Sequence, residues 1–268
     1  MILALDTGNT HTVIGCIDKD GAILDVFRME TNARRTEFEY ASDIGRILGL
    51  GKMDVGQLEG AIISSVVPPM TETLRRAVTL LAGVQPLVVG AGLKTGLNIG
   101  LDDPGTIAAD LVSAAVGAKE KYPLPCVIID LGTATTFSVL DEQGRFAGGA
   151  IMPGVAISLN ALTDGTSLLP RIEIVPPKKA IGSNTIDCMK SGVVFGAAGA
   201  LDGVLDHFEQ EMGREAATIV ATGGLAGCVT PHCRHKIVLD DTLLLHGLYL
   251  LWEKNKPGAA DKRGRRRG

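Results

Sequence analysis

The chain is short of cysteine, of net positive charge and of long apolar runs, and each shortage removes a class of protein. Five cysteines in 268 residues, at 16, 126, 188, 228 and 233, are too few and too scattered for a disulfide framework. A formal net charge of -4 gives no general pull toward nucleic acid. The one basic stretch, DKRGRRRG at 261–268, reads as the solvated, disordered end of a tail over 256–268 rather than as a nucleic-acid contact. No basic region precedes the first apolar run, which an aspartate closes at position 6, so the start does not read as a secretory signal. No uninterrupted apolar stretch is long enough to cross a bilayer. The expectation is a soluble, cytoplasmic protein with neither membrane nor nucleic acid as partner.

What is present is apolar material in strand-sized and helix-sized pieces. Hydrophobic residues make up 46% of the chain, enough for one large domain or two modest ones. Short buried strands are expected over 2–6, 10–18 and 22–29, the last two joined by the hairpin signal Asp20-Gly21. Helices are expected over 36–49 with Thr36 as cap, over 70–83 with Gly83 as stop, and over 102–122 with Pro104 near its first turn. Strands at 60–67 and 86–90 fall between them. After Tyr122 the pattern restarts, with strands at 126–130, 136–140 and 145–152, a long helical stretch over 184–212, strands at 217–224 and 236–239 and a last helix over 242–255. Strands alternating with helices argue for an α/β chain.

The restart is a repeat. An apolar run, an aspartate and a Gly-Thr-Asn turn occur at MILALDTGNTHTVIG and again at CVIIDLGTATTFSVL. The two align without a gap from Asp6 and Asp130 to Gly8 and Gly132, and the hairpin glycines Gly21 and Gly144 then match with a one-residue shift. The repeat divides the chain into halves over 1–120 and 121–255. A Gly-rich turn leaving a strand exposes backbone N–H groups that hold phosphate oxygens, and a carboxylate at the strand end can hold hydrated magnesium. Related by pseudo-symmetry, two such turns would grip one nucleotide's phosphates from both sides of a cleft. Neither turn is followed by Gly-Lys-Ser/Thr, which excludes a Walker-type loop. Ala221-Thr222-Gly223-Gly224 adds a glycine pair at a strand end, where backbone can approach a ribose or a flat ring.

Twin phosphate loops with a late Thr-Gly-Gly strand resemble the ASKHA superfamily, duplicated ribonuclease-H-like halves around a central cleft as in actin and sugar kinases. Within it, DTGNT (6–10), DLGTATT (130–136), GGAIMPG (148–154), SNT (183–185), SGVVFG (191–196) and ATGGLA (221–226) resemble the type III pantothenate kinases, in order and at family spacing. The resemblance implies ATP-dependent phosphorylation of the primary hydroxyl of pantothenate, the entry step to coenzyme A. It also implies magnesium, a potassium or ammonium ion, and a homodimer with the substrate site near the subunit boundary. By similarity the first phosphate loop is Asp6, Thr7, Gly8, Asn9, Thr10, His11, Thr12 and Val13, with Asp6 toward magnesium. Asp130 matches the monovalent-cation position, Thr133 an ATP contact and Thr185 a substrate contact. Asp110 matches the proton acceptor. Its chemistry suits that role, because an alcohol needs a base within hydrogen-bond reach and phosphoryl transfer otherwise needs positioning and charge neutralisation.

One position departs from the pattern. The family's substrate-binding Gly-x-Asp-Arg reads Ala108-Ala109-Asp110-Leu111 here. The arginine is expected to pair with the carboxylate of pantothenate, and a leucine cannot. Either another arginine fills in, or pantothenate binds weakly or yields to a different acceptor, or catalysis is lost and a nucleotide-dependent binding role is kept. The retained loops and base favour the kinase over a non-catalytic regulator. Two further groupings stand apart. Cys228, His232, Cys233 and His235 could ligate zinc, but their spacing fits no standard site and a loop with incidental thiols is the simpler reading. Asp202 and Asp206, four apart on a helix, read as solvent-facing or interfacial rather than as a catalytic pair.

Overall fold

The computed structural model describes residues 1–258, so most of the basic tail lies outside the described residues. In chain order the elements are β1 (Ile2–Thr7), β2 (His11–Ile17), β3 (Ile23–Glu30), α1 (Glu37–Leu50), β4 (Gly60–Ser65), α2 (Pro68–Ala82), β5 (Leu87–Val88), β6 (Asn98–Ile99) and α3 (Ala109–Lys121). They continue with β7 (Cys126–Leu131), β8 (Ala134–Leu140), β9 (Arg145–Pro153), α4 (Val155–Asp164), α5 (Thr185–Met212), β10 (Thr218–Thr222), α6 (Ala226–Val229), β11 (Val238–Leu239) and α7 (Leu243–Asn255). The chain divides into two compact units. Among the described residues the first holds Met1–Leu97, Asp102–Glu120 and 242–258; the second holds Asn98–Leu101 and Lys121–Asp241.

The first unit is a five-stranded sheet in the order β3-β2-β1-β4-β5. β1 runs antiparallel to β2 and parallel to β4. Strand alternation splits the core between its two faces. Leu3 and Leu5 point to one side, where they pack with Tyr40, Ile44 and Leu48 of α1 and Leu74 and Val78 of α2. Ile2 and Ala4 point to the other, against Leu245, Leu248 and Leu251 of α7 and Val112 of α3. The helix ends follow from local chemistry. Thr36 and Glu39 form a reciprocal capping box at α1, and Pro68 and Pro69 open α2, which Gly83 ends at φ +69°.

The last helix departs from the expected halves. α7 buries Leu243, Leu245, Leu248, Leu251 and Trp252, and its place is on the first sheet rather than in the second unit. Glycines make the approach close. A Cβ on Gly60 would lie 2.5 Å from the Trp252 Nε1, and one on Gly247 would lie 1.8 Å from the Ser113 carbonyl oxygen of α3. A second departure is the start of α3. Asp103 caps Gly105 N–H, residues 104–106 make a single 3-10 turn, and the α-helix begins only at Ala109 instead of at 102.

The second unit is a six-stranded sheet in the order β11-β10-β7-β8-β9-β6. Without β6 its order and strand directions are those of the first sheet, with β7 in the place of β1 and β10 in the place of β4. The register irregularity also recurs at the equivalent rung, between Cys16 and Ile17 and between Val139 and Leu140. Val127, Ile129 and Leu131 carry the core against Ala198, Leu201 and Leu205 of α5. By length and composition α5 could cross a bilayer, but this apolar face makes it a core helix. Asp202 corrects the solvent-facing expectation, being 3% exposed. It accepts the backbone N–H of Arg234 and of His235 and faces the His235 ring, so it fastens the segment leading to β11.

Candidate active site

In the first unit Asp6 lies at the end of β1, one residue before its last, and a loop over 8–10 leads to β2. It lies opposite Val13 on β2 and Ser64 on β4. Ser64 Oγ donates to Asp6 Oδ1 at 2.9 Å, which fixes the carboxylate at the sheet's C-terminal edge. Ser64 is fully buried and was not foreseen; the only sequence signal is a hydroxyl pair closing an apolar strand. The loop is shaped by Gly8 N–H donating to the His11 carbonyl at 3.0 Å and Thr31 N–H donating to the Thr10 carbonyl at 3.0 Å. Thr12 and Thr31 share a hydroxyl hydrogen bond of 2.9 Å behind it. Asn9, Thr10 and His11 are exposed at the tip.

In the second unit Asp130 ends β7 in the same way, opposite Thr136 and Thr222. The turn is one residue shorter, and Gly132 N–H donates to the Ala134 carbonyl at 3.1 Å. Thr133 is exposed at its tip. Two glycines close around this hairpin. Gly223, at φ +96°, would place a Cβ 2.4 Å from Asp130 Oδ1, and Gly154 would place one 2.1 Å from the Thr133 carbonyl oxygen. Both are glycine because the fold leaves no room for a side chain.

The turn glycines are different. A Cβ on Gly8 would meet nothing nearer than 3.4 Å, one on Gly132 nothing nearer than 3.5 Å, and neither residue has a positive φ. The fold therefore does not require glycine at these two places, and the bare backbone leaves room for a ligand to approach. A buried hydroxyl also lies in the last rung before each turn. Thr7 pairs with Thr12 and Thr135 with Leu131, and the Thr7 and Thr135 hydroxyls have no hydrogen-bond partner among the described residues. Such orphaned donors fit an anion at the turn.

Asp110 lies in the first turn of α3, between Ala109 and Val112, which belong to the apolar cluster on the Asp6 face of the first sheet. Its Oδ1 accepts Leu111 N–H at 2.7 Å. Burial raises its carboxyl above the usual carboxylate range, and the backbone N–H bonds offset only part of that. No cationic side chain among the described residues lies within ion-pair distance of it. Leu111 is half-buried and supplies no charge. Thr185 opens α5, exposed behind the cap that Asn184 makes with Asp187 N–H. The sequence-expected residues thus gather in two groups, Asp6–Val13 with 108–111 on the first unit and Asp130, Thr133 and Thr185 on the second.

The described residues contain no group of three or more His, Cys, Asp or Glu side chains arranged for a metal. The side chains of the 228–235 segment each face other groups. Cys228 Sγ faces the Ile174 carbonyl, Cys233 Sγ the Ala198 carbonyl, His232 stands edge-on to Phe195, and His235 binds Asp202. Magnesium keeps several waters and is held by one or two carboxylates together with substrate phosphates. Asp6, at a turn with no Cβ at Gly8, is a donor of this type.

Comparison with known proteins identifies the family. The family model described as type III pantothenate kinase matches residues 2–207. A type III pantothenate kinase of Halalkalibacterium halodurans is 40% identical over 255 residues, 95% of this chain and 100% of the relative. One of Geobacter sulfurreducens is 39% identical over 256 residues, 96% of this chain and 100% of the relative. Among solved structures, the activator of the 2-hydroxyisocaproyl-CoA dehydratase from Clostridium difficile, with bound ADPNP, superposes with a TM-score of 0.58 at 12% identity, covering 98% of this chain and 97% of that one. At that identity the likeness concerns the fold alone, the duplicated α/β architecture of the ASKHA superfamily. With its family model over three quarters of its length and relatives matched end to end, the chain belongs to the type III pantothenate kinase family.

Proposed function

We propose that this protein transfers the γ-phosphoryl group of ATP to the primary hydroxyl of pantothenate, giving 4'-phosphopantothenate and ADP. The observation that carries the reading is the pair of turns whose glycines the fold does not need, each beside a strand-end carboxylate. Phosphoryl transfer asks chiefly for positioning and charge neutralisation. Asp6 through Val13 make the first phosphate loop, and Thr133 on the second turn is a further ATP contact. Asp6 would hold magnesium, directly or through water, and the ion when bound supplies charge neutralisation to the phosphates. Asp130 would hold a potassium or ammonium ion.

Asp110 is the base. It takes the hydroxyl proton of the acceptor as the oxygen attacks phosphorus, and the bond from phosphorus to the ADP oxygen breaks. Its raised carboxyl pKa increases its strength as a base. Ala108, Ala109, Leu111 and Thr185 would line the acceptor subsite. A homodimer fits the exposed apolar residues Ile151, Ile157, Leu162, Leu168, Ile181 and Ile186 of the second unit, and the cytoplasm is the compartment expected for the reaction. A coupled assay for ADP release, run with and without pantothenate, tests the reading. Release that requires pantothenate is expected. Release with some other hydroxyl compound alone would keep the kinase and refute the acceptor, and nucleotide binding without release under any acceptor would refute the enzyme.

A further inference from the structure

Arg28 stands in the same row of side chains as Asp6, and we propose that its guanidinium binds the carboxylate of the acceptor, the role for which Leu111 offers no cation. The inference rests on the pantothenate reading above. The row is fixed by strand register. Asp6 of β1 pairs with Val13 of β2, and Val13 pairs with Arg28 of β3. Directly paired residues of neighbouring strands point to the same face. Arg28 therefore emerges on the face of Asp6, two strands away. That is also the face on which Val13 shares a hydrophobic cluster with Ile107 and Ala109, the residues leading into Asp110.

The side chain is available. Among the described residues Arg28 makes no side-chain hydrogen bond or ion pair, and it is exposed. Among the first unit's other described arginines, four form ion pairs. Arg35 and Arg46 pair with Asp43, and Arg75 and Arg76 pair with Glu72. Arg34 sits in the loop after β3, away from the row. Glu30, two residues along β3, forms no pair with Arg28.

The spacing also suits the acceptor. Two strand separations are about 10 Å. The hydroxyl and carboxylate of extended pantothenate are likewise roughly 10 Å apart, the span of about three residues of extended chain. An acceptor with its hydroxyl at the Asp6 and Asp110 end can lie along the row and reach the Arg28 guanidinium. A guanidinium suits a planar carboxylate through paired N–H donors.

The test compares pantothenate with pantothenyl alcohol, the neutral analogue in which a hydroxymethyl group replaces the carboxylate, in the wild type and in Arg28→Gln. The wild type is expected to prefer the acid. Arg28→Gln is expected to raise KM for pantothenate by ~10- to 100-fold and to leave KM for the neutral analogue and for ATP within about twofold, so that the preference disappears. An unchanged preference in Arg28→Gln overturns the proposal while leaving the pantothenate reading intact. An equal rise in KM for both compounds also overturns it, because that reports a general disturbance of the site. A wild type that turns over neither compound, yet releases ADP with a different acceptor, sinks the pantothenate reading and this proposal together. Unchanged ATP affinity in the variant shows that its fold is kept.

Discussion

The two hairpins, Ile2–Ile17 and Cys126–Leu140, share a backbone and differ in what they carry on it. Positions that face α1 and α2 in one and α5 in the other are apolar in both: Leu3 and Leu5 in one, Val127 and Ile129 in the other. The opposite face diverges. Its row reads Ser64, Asp6, Val13, Arg28 in the first unit and Thr222, Asp130, Thr136, Ile151 in the second. The core positions are held by packing, which any change of volume disturbs. The facing positions are free to diverge toward different ligands. A charged acceptor belongs on the row that ends in arginine. The row that ends in Ile151, 76% exposed, fits an apolar neighbour.

The largest effect expected from breaking this asymmetry is at Asp110, which has a helix turn to itself on the first unit. Asp110→Asn should lower kcat by ~10²- to 10⁴-fold with little change in ATP affinity. The wild-type rate should fall as pH drops through a carboxyl pKa above the ordinary range, since the base must be ionised and burial raises it. A pH–rate profile whose acid limb sits at the value of an ordinary carboxylate would remove Asp110 from that role.

A smaller effect separates the two kinds of glycine. Gly223→Ala forces a Cβ to 2.4 Å from Asp130 Oδ1 at φ +96°, and Gly154→Ala forces one onto the Thr133 carbonyl. Each should cost about 1–3 kcal/mol, or roughly 2–4 °C in Tm for each kcal/mol. Gly8→Ala and Gly132→Ala meet no such obstacle, so their stability should stay within about 0.5 kcal/mol of wild type while KM for ATP rises. Thermal melts beside ATP kinetics read both halves of the contrast. Equal destabilisation by all four would mean that the turn glycines serve the fold, not a ligand.

Much of this was legible in the sequence because it is local or repeated. The strand-turn-strand repeat announced two equivalent sheets, and the one-residue shift between Gly21 and Gly144 is the longer turn at 8–10. Thr36 three residues before Glu39 is a cap that needs no tertiary context. What was not legible depends on partners far away in the chain. The Ala-rich pattern over 102–122 looks helical from its start, but Pro104 and Gly105 favour a tight turn that Asp103 closes. α7 follows the second repeat in order, yet its apolar surface is complementary to β1, β4 and α3, with Gly60 and Gly247 cut back to admit it. Asp202 looks like one of a surface pair because its partners, the backbone at 234 and 235, lie some thirty residues on. Ser64 is invisible as a site residue until strand register sets it beside Asp6.

The smallest effect concerns how each unit holds its far edge strand. β5 follows α2 after a short connection, whereas β11 is reached through a segment that Asp202 fastens. Burial pulls the His235 pKa down, but the carboxylates of Asp202 and Glu209 more than offset it, leaving it above its ordinary value. The protonated ring lies 2.8 Å from Asp202 and 3.4 Å from Glu209. Because the folded pKa exceeds the unfolded one, the stabilisation is complete below about 6.5 and is lost as pH rises through the folded value. Burial acts on Asp202 in the opposite sense, raising its pKa, but the N–H groups of Arg234 and His235 and the His235 ring outweigh it and leave it low. Its share is therefore complete above the usual carboxylate pKa and lost only in stronger acid. Urea melts of wild type at pH 6 and pH 8.5 should show the lower midpoint at pH 8.5, and His235→Gln should flatten that difference. A difference that survives His235→Gln would place the titrating group elsewhere, and the clamp before β11 would then be held by Asp202 and the backbone alone.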